Sequence, residues 1–147
     1  MPLIHRPFIN DQPVVPVLVG VSDSRAVAMA TAGVPVPASI TLNLLIDTGT
    51  GRTALDQAAI ASLGLAPTGR ASVHTASTAG TPHDCNLYDV SLLIPTGDGG
   101  PPFRLAALPV LEGVFRNQGI DGLLGRDILR QFVFIYNGPL GGYTLAH

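Results

Sequence analysis

Leu44, Leu45 and Ile46 run straight into Asp47, Thr48, Gly49 and Thr50. From Ile40 onward the chain is dense in Leu and Ile, which suits a strand buried within a sheet. A carboxylate at the end of such a strand is costly to bury unless it is hydrogen-bonded or used in chemistry. Its neighbours supply hydroxyls at Thr48 and Thr50. Gly49 supplies a backbone that turns tightly and lets another chain come close. Taken alone, Asp47 fits two readings: a turn or helix-capping aspartate, and a carboxylate placed for catalysis.

A second motif lies far downstream. Ile120, Asp121, Gly122, Leu123, Leu124, Gly125, Arg126 and Asp127 read as a short apolar strand, a glycine turn and a helix start. Asp-Thr-Gly after apolar residues, followed much later by two apolar residues and Gly-Arg-Asp, resembles the retropepsin-like aspartic proteases, single-domain relatives of pepsin. The resemblance spans roughly residues 14–145. It implies a mostly β fold, a closed β-barrel-like acid-protease architecture with two short helices. One domain is expected over residues 1–147, with residues 1–13 as an extended arm or edge strand.

Composition narrows the function. Hydrophobic residues make up 46% of the chain and charged residues 12%, the latter about half the usual share. Such a surface is unusually apolar for a monomer and favours a buried subunit interface. A net charge of -2 gives no electrostatic reason to expect nucleic acid. All 8 basic side chains are Arg, so phosphate-loop and Schiff-base chemistry are excluded. The single cysteine, Cys85, reads as a small half-buried residue without an internal disulfide partner. The spacing of His74, His83 and Cys85 fits no strong metal pattern, and no metal or cofactor is expected. No apolar run approaches the ~20 residues of a spanning helix, and the start lacks a signal-peptide pattern. The expectation is a cytoplasmic chain without a membrane span.

Along the chain, residues 14–21 are β-branched but contain Pro16, which predicts an outer strand. Residues 22–25 read as a turn, and residues 27–32 as strand or loop. Residues 53–64 give the best helix, with Thr53 as its cap, Asp56 as the acid of a capping box and Gly64 as its stop. Residues 71–75 and 85–94 form the arms of a hairpin with a small, polar tip. Asp98 sits in a second glycine-rich turn. Further strands are expected at 103–110, 132–136 and 143–146, with a short helix over 127–131 capped by Asp127.

Metal-free amide hydrolysis needs an activated water and an acid for the leaving amine. Two carboxylates that share a proton do both, because like charges held close cannot both ionise. This chain has a single Asp-Thr-Gly, half of such a site. A two-fold homodimer would supply the other half. The resemblance then assigns roles. Asp47 is the catalytic aspartate of each subunit. Thr48 hydrogen-bonds across the two-fold axis, and Gly49 accepts from the amide of a closely running peptide, with Thr50 completing the loop. Leu123, Leu124 and Gly125 brace that loop from beneath. Ala76, Ser77, Thr78, Ala79 and Gly80 form the substrate-binding flap, and residues 143–146 match the terminal strands that build the dimer sheet.

The chain also departs from the pattern. Gly51 and Arg52 stand where retroviral members carry an acidic residue. Arg126 therefore needs another partner, Asp121 or a backbone carbonyl. The substrate implied is an extended, largely apolar peptide. The rival readings are an inactive dimerisation or peptide-binding module of the same fold, and an aspartyl-phosphate enzyme. The latter is disfavoured by the absence of Lys and of a second acidic cluster. A Ser-His-Asp hydrolase is weaker still, because no Gly-x-Ser-x-Gly elbow occurs.

Overall fold

A computed structural model of the chain describes residues 2–74 and 82–147. Its strands are β1 (Leu3–Pro7), β2 (Val14–Val21), β3 (Ile40–Ile46), β4 (Ala54–Asp56), β5 (Gly69–Val73), β6 (His83–Ile94), β7 (Phe103–Gly113), β8 (Gly122–Leu124), β9 (Val133–Asn137) and β10 (Gly142–Ala146). Its helices are α1 (Asp23–Thr31), α2 (Gln57–Ser62) and α3 (Arg126–Leu129), with a 3-10 turn at Arg116–Gln118. Strands β2, β3, β8, β4, β7 and β6 are neighbours in that order. The β6 strand then returns to β2, closing a six-stranded barrel that β5 extends. Closure leaves the ring without a free edge. Alternate residues fill the interior: Val15, Val17 and Val19 from β2, Leu42 and Leu44 from β3, and Val90, Leu92 and Ile94 from β6. The mostly β, closed-barrel fold expected from the sequence is the fold observed.

Three local expectations are corrected. Strand β2 is part of the barrel wall, not an outer strand. It pairs with β3 over residues 14–19 and with β6 over residues 18–21. Pro16 precedes the stretch paired with β6, so its missing N–H falls where β2 has one neighbour.

Within residues 22–32, expected as a turn followed by strand or loop, Asp23–Thr31 form α1. Ser22 accepts from the Arg25 N–H at the N-terminus, and Ala26, Ala28 and Ala30 favour the helical state. Gly33, at φ +70, ends the helix, and the Val34 N–H returns to the Met29 carbonyl. No residue of α1 is buried, so the helix leaves no apolar stripe to read. A bidentate pair from Arg104 to Asp23, at 2.8 and 2.6 Å, ties it to β7. The described residues thus hold three α-helices where two were expected.

Thr53 does not cap a helix. Residues 54–56 are strand β4, parallel to β7 and antiparallel to β8, and α2 starts after Asp56, whose side chain accepts from the Ala58 N–H. Tertiary pairing here overrides local helix preference. The expected stop holds, with Gly64 at φ +62.

A second sheet has the order β1-β10-β9, all antiparallel. Strand β1 lies at one edge of this sheet. The last strand lies between β1 and β9, because the turn at 138–141 folds it back along β9. Both of its edges are therefore used within the chain, and the edges open to another chain belong to β1 and β9. The Tyr143 hydroxyl donates to the Val14 carbonyl at 2.8 Å and fastens this sheet to the barrel. Leu3, Val133 and Ile135 are about half exposed on its outer side. The expected hairpin is present in its arms, β5 and β6, with Val73 opposite His83. The flap residues 76–80 lie outside the described residues.

Candidate active site

Strand β3 runs parallel to β8, with Leu45 beside Leu123 and Ile46 beside Leu124. This register carries Asp47 to the mouth of the barrel, where its N–H donates to the Leu124 carbonyl at 3.0 Å. The half-buried Asp47 carboxylate accepts from the Gly49 N–H at 2.8 Å. One oxygen is thus held by the turn.

The loop that follows is clipped to the second motif at successive points. The Arg126 N–H donates to the Thr50 carbonyl at 2.9 Å, and the Asp127 N–H to that of Gly51 at 3.2 Å. Thr53, fully buried, donates from its amide and its hydroxyl to the two oxygens of Asp127 at 2.9 and 2.8 Å. That hydroxyl also accepts from the Gly125 N–H at 3.1 Å. The backbones approach so closely that a Cβ on Gly125 would lie 2.7 Å from the Arg52 carbonyl carbon. A Cβ on Gly122 would lie 2.2 Å from the Ala54 oxygen. Both positions require glycine for lack of space.

Arg126 donates to the Thr48 carbonyl at 2.9 Å. Its partner is therefore the backbone carbonyl and not Asp121. Asp121 instead accepts from the Asn43 N–H at 2.9 Å and pairs with Arg116 at 3.2 Å. Asp127 is a clasp on Thr53 and also accepts from the Ile128 N–H.

An open cavity of about 640 Å³ lies over the Asp47 loop. Of the expected site residues, Asp47, Gly49, Thr50 and Leu123 line it. Leu124 and Gly125 are buried beneath, and exposed Thr48 contributes the carbonyl that Arg126 holds. Sequence reading missed Ser72, Val73, His74 and Leu111 as lining residues. Leu111 arrives only through the parallel pairing of β4 and β7, for which no local signal exists. Arg52 was legible as a departure in charge, though not as a wall of the cavity.

A second cavity, also about 640 Å³, shares Thr50, Val73, Leu111 and Leu123 with the first and continues to Cys85, Gly113 and Phe115. Burial pushes the Cys85 thiol up, and the Glu112 and Asp84 carboxylates add to this. The thiol is a poor nucleophile at neutral pH. The wall of this second cavity is fixed by Asp56, which is 3% exposed. Its Oδ2 accepts from the Phe115 and Arg116 amides at 2.8 and 2.9 Å. Burial pushes the Asp56 carboxyl up, but the N–H groups of Phe115, Arg116 and Ala58 outweigh it and hold it below the ordinary value. Among the described residues, no three His, Cys, Asp or Glu side chains converge on a metal position.

The family model described as aspartyl protease matches residues 27–128 of this sequence. The chain belongs to that family. Its fold is shared with a solved retropepsin-like aspartic protease. It is similar to the crystal structure of a retropepsin-like aspartic protease from Rickettsia conorii, at 14% identity and a TM-score of 0.59, over 97% of this chain and 89% of that one. It is also similar to the EIAV protease complexed with the inhibitor HBY-793, at 18% identity and a TM-score of 0.46, over 82% of this chain and 86% of that one. A comparison with curated proteins found no match. Among the described residues no helix is long and apolar enough to cross a membrane.

Proposed function

We propose that the chain is an aspartic endopeptidase that works as a homodimer, each subunit contributing one Asp47. The observation that carries this reading is the cavity itself. Asp47 is the one carboxylate among the described residues lining it, and it stands at the end of a rigid strand in a hydrogen-bonded turn. One carboxylate cannot both activate a water and protonate a leaving amine. Two copies sharing a proton can. One Asp47 then takes a proton from the water while its protonated partner polarises the peptide carbonyl. Thr48 and Gly49 lie beside the reacting carboxylates, Gly49 with its carbonyl toward the substrate backbone. The half-exposed Val133, Ile135 and Tyr136 on edge strand β9 support a subunit contact at the terminal sheet. The substrate is an extended, largely apolar peptide, and activity is greatest at mildly acidic pH.

The test is mass spectrometry of a mixed peptide library after incubation with wild type and Asp47→Asn across about pH 4 to 7, where a shared-proton pair titrates. Cleavage by wild type alone supports the reading. Equal cleavage by both proteins removes Asp47 from the mechanism. Silence from a folded, dimeric wild type favours a peptide-binding module of the same fold. Cleavage by a strictly monomeric protein overturns the paired-carboxylate mechanism.

A further inference from the structure

We propose that the groove beside Asp47 binds by preference peptides carrying an acidic side chain close to the scissile bond, and that Arg52 and Arg126 are the residues that select it. The proposal deepens the peptidase reading and rests on it.

The cavity over Asp47 brings together Arg52, Arg126 and His74, with Asp47 as the opposing acid. Arg126 spends one guanidinium nitrogen on a neutral acceptor, the Thr48 carbonyl. Its other terminal nitrogen lies 3.4 Å from the place a Cβ on Gly51 would take, so the position beside it has no side chain to offer. Among the described residues the ion pairs are Arg104–Asp23 and Arg116–Asp121, and neither Arg52 nor Arg126 joins one. The nearby acids are used elsewhere. Asp127 faces Thr53 and the Ile128 amide, and Asp121 faces Asn43 and Arg116. Residues 75–81, which join the hairpin arms, contain no charged residue that could reach over to neutralise them.

In a dimer the excess grows. Two Asp47 carboxylates sharing one proton carry a single negative charge, against four guanidinium groups from two copies of Arg52 and Arg126. A cleft of one sign concentrates the field and draws in the opposite charge. A planar guanidinium with free N–H groups matches a carboxylate in two-point contact. One exposed pair of this kind is worth about fivefold in affinity.

The experiment uses the full chain bearing Asp47→Asn and fluorescent peptides of one apolar sequence. The peptides carry Glu, Gln or Lys at a single position scanned along their length, and binding is read by anisotropy at low and high salt. The expected result, at one or more positions, is Glu tighter than Gln by about fivefold and Lys weaker than Gln, with the difference shrinking at high salt. Adding Arg52→Gln should lessen the preference, and Arg52→Glu should invert it, with folding verified by circular dichroism. Equal binding of Glu and Gln peptides at every position overturns the proposal, as does an order unmoved by Arg52→Glu or binding of none of the peptides. The same peptides offered to wild type separate the two readings. Cleavage without charge preference leaves the peptidase standing and removes this proposal. Glu-selective binding without cleavage does the reverse.

Discussion

Thr53 and Asp127 hold each other across 74 residues of chain, the Thr53 amide on one carboxylate oxygen at 2.9 Å and its hydroxyl on the other at 2.8 Å. The pair joins the loop after Asp47 to the start of α3, and the Thr53 hydroxyl passes the link on to Gly125. Asp127→Ala leaves a fully buried amide and hydroxyl without acceptors. The expected cost is about 2–4 kcal/mol, read by urea denaturation. Asp127→Asn keeps one acceptor and should cost less.

Asp56 holds three amides through one carboxylate: that of Ala58 at the N-terminus of α2 and those of Phe115 and Arg116. Asp56→Ala should destabilise by about 3 kcal/mol, the sum of a lost cap and two orphaned donors. The pH dependence follows from the lowered folded-state pKa. Such a group contributes stability that is fully present above its unfolded value, near pH 4, and is lost as pH falls through the folded value. The stability gap between wild type and Asp56→Asn should therefore narrow below about pH 4. A gap that stays constant down to about pH 2 would contradict this assignment.

Tyr143 is fully buried, and burial pushes its phenol up to about 12, against a smaller lowering by Arg6. A raised folded-state pKa means that the folded protein keeps its proton when the unfolded chain has lost it. Stability is therefore undiminished below about pH 10 and falls from there to about pH 12, by up to ~1.4 kcal/mol per pH unit. Tyr143→Phe should flatten that alkaline slope. At neutral pH it should cost about 1–2 kcal/mol, because the Val14 carbonyl loses its donor. Thermal melts across the range compare both effects.

Gly122 lies where β8 and β4 meet, with the Ala54 oxygen 2.2 Å from its Cβ position. The obstacle is backbone, which cannot swing aside. Gly122→Ala should cost about 3 kcal/mol and shift the loop that Leu124 and Gly125 support. If Asp47 is the catalyst, peptidase activity should fall with it. A variant of unchanged melting temperature would show that the strands separate more easily than this contact implies.

The barrel was legible because its signals are local. Alternating Val in β2, the Leu- and Ile-rich β3 and the turn residues around Asp98 each follow from a few neighbouring side chains. Asp98 does accept from the Gly100 N–H, as a turn aspartate should. The failures have two physical causes. Residues 53–56 have a good helix start by composition, yet their backbone is claimed by β7, β8 and Asp127 from beyond residue 110. Helix α1 buries none of its residues, so the periodicity that reveals most helices was never written into it.

By itself the sequence determined that Asp47 ends an apolar strand in a Thr-Gly turn, and that a glycine-bearing apolar motif lies downstream to support it. These depend on residue type and short spacing. Only the tertiary structure decided that Arg126 holds the Thr48 carbonyl rather than Asp121. It alone folded the last strand between two others of its own chain and gathered Arg52, His74 and Leu111 around one carboxylate. Those outcomes rest on pairings between strands many residues apart, where the choice among partners is made by the closed barrel as a whole.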